Sequence, residues 1–328
     1  MTFILSEEPR HKFRKVKPQK PGAIIKEKLN ISTQFKRWWQ YYVLLLPAIV
    51  FFALFCYGPM YGVIIAFKDF VATKGIWGSR WVGFKHFSRF FNSYYFGQLI
   101  RNTLTISIYG LVVGFPLPIL LALGLNELKN SKFKKFVQTV TYAPYFISTV
   151  VMCGMIISFL SPTTGIINKI IETFGGHAIP FLSQEKWFSS VYVWSGVWQG
   201  TGWGSIIYLA ALAGVDPQLQ EAAILDGATR LQRIRYINIP YILPTMVIML
   251  ILSAGNILSV GYEKIYLLQN PLNANTSEVI STYVYKTGLI NAQYSFSTAV
   301  GLFNSVVNLA LLALVNFFAS KVSETSLW

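Results

Sequence analysis

The sequence predicts an all-α integral membrane protein with six transmembrane helices, and three observations lead there. Of its 328 residues, 53% are hydrophobic and 12% are charged, whereas a soluble domain carries about 25% charged residues. Six apolar runs, 41–66, 100–125, 136–160, 188–213, 241–261 and 296–320, each reach the roughly 20 residues needed to cross about 30 Å of hydrocarbon. Lys and Arg gather on one side of those runs, the bias that orients a chain in a membrane.

Residues 1–40 carry ten Lys and Arg, from Arg10 to Arg37, with Pro18, Pro21 and Gly22 among them. The start of this segment is expected to be disordered. Residues 24–39 are expected to form an amphipathic helix on the inner membrane face, with Phe35, Trp38 and Trp39 at the interface, or to serve only as an orientation signal. The segment is too long for the n-region of a signal peptide, and no small-residue cleavage site follows the first apolar run. That run is therefore expected to stay as a membrane helix.

The six spans carry helix breakers: Pro47 and Gly58-Pro59 in the first, Pro116 and Pro118 in the second, Pro144 in the third. Gly196, Gly200, Gly202 and Gly204 crowd the fourth, and Gly255 and Gly261 end the fifth. Membrane helices tolerate such residues where neighbours or cavity water satisfy the freed backbone, and small residues let helices approach closely. The glycine cluster fits either close packing or a kink in a substrate path.

Among the connections, 68–98 is dense in Phe and Trp and is expected to pack as a small cap. Residues 161–187 are expected to hold a short helix between turns. Within 262–295, Val279 to Tyr285 is expected to form a surface helix or a lid. The N-terminal segment, Lys129, Lys132, Lys134 and Lys135 after the second run, Arg230, Arg233 and Arg235 after the fourth, and Lys321 in the tail lie on one side of a six-span topology. The positive-inside bias makes that side the cytoplasm, with both termini there.

The two cysteines, Cys56 and Cys153, fall inside spans and are expected to be structural. His11, His86 and His177 lie far apart and are expected to be solvated, with no metal site. The net charge of +15 does not imply nucleic acid as a partner, because the basic residues cluster at span margins and no nucleic-acid motif is present.

Between the fourth and fifth spans, 214–240 is polar. Asp216-Pro217 fits a helix N-cap followed by proline in the first turn. Glu221, Ala222 and Ala223 favour helix, and Glu221 is expected near the helix start, where it suits the dipole. Gly227 fits a left-handed C-terminal turn. Arg230, Arg233 and Arg235 are expected to meet lipid phosphates or a partner, and Pro240 opens the next span.

This segment carries a resemblance. Glu221-Ala222-Ala223, three residues, Gly227, nine residues, then Ile237-Asn238-Ile239-Pro240 resembles the signature loop of membrane subunits of binding-protein-dependent ABC importers, with Ile239 where Leu is usual. Leu44-Leu45-Leu46-Pro47, Pro59-Met60-Tyr61-Gly62, Asn102-Thr103-Leu104, Tyr142-Ala143-Pro144-Tyr145 and Gly214-Val215-Asp216-Pro217 resemble the sugar-importer branch. Asn270-Pro271-Leu272 and Glu278 to Tyr285 are similar to the permease subgroup that serves oligosaccharides cut from complex, often acidic, polysaccharides, the alginate importer among them. The likeness runs from about residue 41 to the C-terminus.

The resemblance implies the type I ABC importer permease fold: a basic cytoplasmic segment 1–40, a permease domain 41–320 with a cytoplasmic coupling helix in the loop 214–240, and a tail 321–328. It implies a bacterial inner-membrane location. The implied partners are a second, different permease, two ABC ATPase subunits, an extracytoplasmic solute-binding protein and an oligosaccharide, within membrane lipid. It implies that Glu221, Ala222, Ala223, Asp226, Gly227 and Pro240 couple the chain to the ATPases.

The chain has no G-x-x-x-x-G-K-[ST] and no Gly-Lys pair, so ATP and Mg are expected on the partner ATPases, with no cofactor and no catalysis here. Sugars are held by aromatic faces with amide and hydroxyl partners. Candidate path residues are therefore Tyr145, Ser148, Trp194, Trp198, Gln199, Trp203, Asn256, Ser259 and Tyr262, although tryptophans near span ends also form interfacial belts. The alternative, a secondary sugar transporter that works without ATP, would need intramembrane ionisable residues for ion coupling, and the spans are nearly free of them. A membrane enzyme would need a cluster of carboxylates or a metal site.

Overall fold

The computed structural model describes residues 31–322; the expectations for residues 1–30 and for the last six residues lie outside them. The chain divides into two compact units at Pro59–Met60. In the first, helix α1 (Ile31–Phe51) changes direction at Trp38, whose φ of −116° and ψ of 15° are not helical. A π-helical stretch, Phe52–Tyr57, follows. Every described side chain from Trp38 to Pro59 is exposed.

The second unit opens with a 3-10 helix, Tyr61–Phe67. β1 (Lys68–Asp69) then pairs antiparallel with β2 (Arg80–Trp81), in the register Lys68 to Trp81 and Asp69 to Arg80. Ser79 closes the hairpin loop by accepting from Val71 N and donating to Gly75 O. Phe67 stacks on Trp81 at 5.7 Å. The aromatic residues expected to form a cap thus organise a small folded hairpin. Its His86, expected to be solvated, is buried, with Nε2 3.2 Å from Lys68 O and 3.1 Å from Asp69 Oδ1.

α2 (Lys85–Phe91) buries Phe90 against Leu99, Ile280, Phe296 and Val300. α3 (Phe96–Gly114) and α4 (Pro116–Asn126) run on as one apolar stretch, because a proline in the first turn of α4 loses no helical hydrogen bond that it needs. α5 (Ser131–Tyr142) is capped by Asn130, which accepts from Lys132 N and Phe133 N. α6 (Thr149–Phe159) is capped by Ser148. The expected third span is therefore not a single rod: its two halves meet at 100°. Pro144 sits in a 3-10 turn, Ile147 and Ser148 are extended, and the Ser148 hydroxyl starts a new helix.

α7 (Ile166–Thr173) lies in the next connection. Its buried Asn168 donates to Leu160 O, Ser161 O and Ile179 O and accepts from Ile179 N, fastening both ends of that segment. α8 (Glu185–Leu212) is the centre of the unit and packs against α3, α4 and α5. It runs unbroken for 28 residues, and two of its glycines serve contact. A Cβ at Gly202 would strike the carbonyl of Thr141, and one at Gly204 would lie 3.2 Å from Pro118.

α9 (Pro217–Leu225) follows, then α10 (Ile239–Ala254), α11 (Tyr262–Leu268), α12 (Ile280–Tyr285) and α13 (Tyr294–Val322). α12, expected as a surface helix or a lid, is no surface helix: it is packed against α3, α11 and α13, with Val279, Ile280 and Thr282 fully buried. Asn102 donates to Asn275 O and Glu278 O, and Thr103 Oγ1 accepts from Ile280 N, so α3 holds α12 in place. Ile106, Cys153, Phe188, Ile265, Leu268 and Val279 form one core cluster. Ile119, Leu123, Tyr208, Leu212 and Ile242 form another, nearer α9.

Among the described residues, four helical runs are long and apolar enough to cross a membrane: Trp38–Phe67, Phe96–Asn126, Arg230–Ala254 and Tyr294–Lys321. The bent pair Ser131–Phe146 and Thr149–Phe159 makes a fifth if it counts as one. α8 is not among them. It is long enough, but Ser195, Gln199, Thr201 and its glycines dilute its apolar character.

Candidate functional site

The polar segment between α8 and α10 is built by local chemistry. Asp216 accepts from Gln218 N at 2.9 Å with Pro217 in the first turn, which starts α9 as the sequence suggests. Gly227, at φ +78°, ends it. Ala228 N bonds to Ala223 O and Gly227 N to Ile224 O, the paired closure of a Schellman turn. Thr229 then caps the turn Arg230–Arg233 through a reciprocal box with Gln232. A π-helical stretch, Ile234–Asn238, leads into α10, where Pro240 lies in the first turn.

Glu221 is the fifth residue of α9 and stands outside its first turn, so the helix dipole does little for it. Glu221, Ala222, Asp226, Gly227 and Pro240 are all exposed, and Ala223 is half-buried. Apolar side chains of α9 are uncovered as well: Leu219, Ile224 and Leu225 are exposed, Leu225 to 88%.

The inner surface of α9 is tied down by polar groups. Arg233 Nη2 meets Glu127 Oε2, at the end of α4, at 2.9 Å. Arg233 Nη1 donates to Gln220 Oε1 at 3.1 Å, and Gln220 Nε2 donates to the buried Asn238 at 2.6 Å. Asn238 Nδ2 returns to Glu127 Oε1 at 3.4 Å. Arg233, expected to face lipid or a partner, is therefore an internal strut. A cavity of about 600 Å³ between α9 and the end of α4 is lined by Glu127, Gln220, Glu221, Arg230 and Arg233. Sequence reasoning missed Glu127 and Asn238, which meet partners more than a hundred positions away, and Gln220, which meets partners 13 and 18 positions on, because nothing local marks such residues.

Among the candidate path residues, three come together. A cavity of about 390 Å³ is lined by Asn256 and Ser259, and one of about 430 Å³ by Gln199; the two share Gly110, Gly114, Pro118 and Tyr192 as walls. Ser259 Oγ accepts from Asn308 Nδ2 at 2.8 Å, and Gln199 Nε2 donates to Ile147 O at 2.8 Å. The other six lie elsewhere. Tyr145 stacks on Trp203 at 4.5 Å with rings almost parallel. Ser148 caps α6. Trp194 and Trp198 share an exposed face of α8, and Trp194 Nε1 donates to Tyr109. Tyr262 stacks on Tyr285 at 5.0 Å.

The second cavity also contains a cation that the sequence reading passed over, Lys264 of α11. Burial pushes its pKa down to about 8, with a smaller opposing effect from Cys153. Its neighbour in sequence, Glu263, is exposed.

Comparison with known proteins adds three findings. Residues 114–324 match the family described as "Binding-protein-dependent transport system inner membrane component". The polygalacturonan/rhamnogalacturonan transport system permease protein YteP of Bacillus subtilis (strain 168) is 46% identical over 88% of this chain and 89% of its own. The protein LplB of the same organism is 43% identical over 88% and 90%. The solved structure of a bacterial alginate ABC transporter in complex with an alginate pentasaccharide-bound periplasmic protein contains a chain that is 42% identical, with a TM-score of 0.83, covering 90% of this chain and 99% of that one.

Proposed function

Because the chain belongs to the binding-protein-dependent transport system inner membrane component family, and is a sugar ABC transporter permease of that family, we propose that it forms, with a second permease, the translocation path for an oligosaccharide. An extracytoplasmic binding protein delivers the sugar, and two ATPases on separate chains, which bind the ATP and Mg, drive its import. The similarity to the polygalacturonan/rhamnogalacturonan permease and to the alginate transporter favours an oligosaccharide of acidic sugars.

The observation that carries the coupling role is the build of α9. It leaves a carboxylate, Leu219, Ile224 and Leu225 uncovered, and is fixed to α4 and α10 through Gln220, which bonds to Arg233 and Asn238, both tied to Glu127. A short helix with an apolar outer face and a rigid root can be pushed by a partner and pass that push to the bundle. In this reading α9 is the coupling helix, and both termini lie on its side, the cytoplasm. α8 is the sixth span, its polar atoms turned to the path rather than to lipid. Nucleotide and loaded binding protein each bias one of two states of the permease pair, which is how ATP moves the sugar.

Gentle detergent purification of the tagged chain from its own cells, followed by mass spectrometry, tests this. Co-purification of a second permease and an ATPase with a phosphate-binding loop is the expected result. Recovery of the chain alone, folded and monodisperse, would contradict it.

A further inference from the structure

The cavity bounded by α3, α8 and α11 is furnished for one kind of guest. Its lining includes Gly110, Gly114, Gly196 and Gly200, positions with no side chain to fill the space. At about 430 Å³ it lies within the usual range of about 300–1,000 Å³ for small-ligand sites. Polar atoms converge on it from three places. Gln199 spends its Nε2 on Ile147 O and keeps its carbonyl oxygen to accept a hydroxyl. Thr201 adds a hydroxyl to the wall, and Lys264 adds an ammonium.

The setting of that ammonium is unusual. Nζ donates to Tyr192 O at 2.8 Å and lies 4.6 Å from the centre of the Tyr192 ring. It sits 3.2 Å from the point that a Cβ on Gly196 would occupy, so the absence of a side chain there gives it room. Among the described residues, no carboxylate pairs with it. An ammonium has three donors, and one is spent on Tyr192. A buried charge without a counter-ion is costly, and the lowered pKa of about 8 registers that cost while leaving the group protonated at neutral pH. A structural tether between α11 and α8 could be made by an uncharged side chain of similar length at lower cost. An ammonium facing a cavity recovers the cost only when an anion enters.

We propose that Lys264 binds the carboxylate of an acidic oligosaccharide in this cavity and is the group by which the permease distinguishes uronate from neutral sugars. The inference rests on the importer reading above and adds the residue that reads substrate charge. Lys264 makes a charge-assisted hydrogen bond to one uronate carboxylate, and Gln199 and Thr201 meet hydroxyls of the same ring. The adjoining cavity, with Asn256 and Ser259, receives the next sugar.

The test is equilibrium binding of a labelled galacturonate trisaccharide, and competition by its fully methyl-esterified counterpart. Both are measured on the purified complex of this chain with its partner permease and ATPases, without the binding protein. Import by the same complex with its binding protein is measured in parallel. Wild type is expected to prefer the acid by about tenfold or more, the scale of one charged hydrogen bond. Lys264→Met should bring the two affinities together, and Lys264→Arg should keep the preference. Retention of the preference in Lys264→Met overturns the proposal. So does equal loss of both ligands, the mark of a tether, or a wild-type complex that imports but does not favour the acid. A wild-type complex that imports no oligosaccharide at all refutes the importer reading itself, and the two failures are thereby distinct.

Discussion

Glu221→Lys reverses a charge that stands in solvent on α9 and has no partner within the described residues to lose. Its expected effect is therefore on docking and not on folding. Membrane levels should match wild type, while stimulation of ATP hydrolysis by loaded binding protein should fall to background; full stimulation would remove Glu221 from the coupling role. Gly227 acts through backbone shape. At φ +78° an alanine costs about 1 kcal/mol, and a proline, fixed near −65°, cannot take the turn at all. Gly227→Ala should thus retain partial coupling and Gly227→Pro none, as read by the same assay.

Asp69, in the hairpin cap, offers a pH test at the same scale. The hydrogen bond from Lys85 holds its carboxyl below the ordinary value of 3.8; burial opposes this, and the charges of Lys85 and His86 add to it. A lowered folded-state pKa stabilises the fold fully above the ordinary value and loses that contribution as pH falls through the lower one. The difference in thermal stability between wild type and Asp69→Asn should be constant at neutral pH and should close below about pH 4. A difference that persists in acid would mean that Asp69 acts by shape alone.

At the scale of elements, the strut beneath α9 is open to a double-mutant cycle. Arg233 and Glu127 are each about 15% exposed, and removing one leaves the other largely buried without its counter-charge, at a cost of about 3 kcal/mol. Glu127→Leu alone should lower the melting temperature of the purified complex more than the pair Glu127→Leu with Arg233→Met. Equal losses would show that the bond carries no coupling energy. Gly202→Ala probes the α8–α5 crossing, where the added methyl meets the Thr141 carbonyl. Overpacking of this kind costs about 1–3 kcal/mol, readable as lower yield and earlier melting. Wild-type stability would mean that α5 moves aside freely.

The same elements show what the sequence could reveal and what it could not. Asp216, Pro217 and Gly227 act within a few residues of themselves, so the start and end of α9 were legible from type and spacing. Four of the six apolar runs were legible by length and hydropathy, and the third run as a bent pair. The bend at Ile147–Ser148 was not, because Pro144 in an apolar run signals a kink, a break or nothing, depending on what packs beside it. The inward packing of α12 was hidden for a related reason. Its polar and aromatic residues suit a surface, but Asn102 and Thr103, from α3, satisfy its backbone and take it inward. Of the path candidates, chosen as side chains that bind sugars, Gln199, Asn256 and Ser259 line the cavities. Trp203 and Tyr145 were equally plausible, and the fold spends them on each other.

At the scale of the whole molecule, the proposed importer takes its motor and its substrate delivery from other chains, with α9 rooted in the bundle and a polar pair of cavities along α8 as this chain's own part. The most direct measurement is uptake of a labelled acidic oligosaccharide into proteoliposomes containing the complete complex, with ATP sealed inside and the binding protein outside. Accumulation that requires both, and that Glu221→Lys abolishes at equal protein loading, is the predicted result. Accumulation by this chain alone, without the ATPases, would contradict the account.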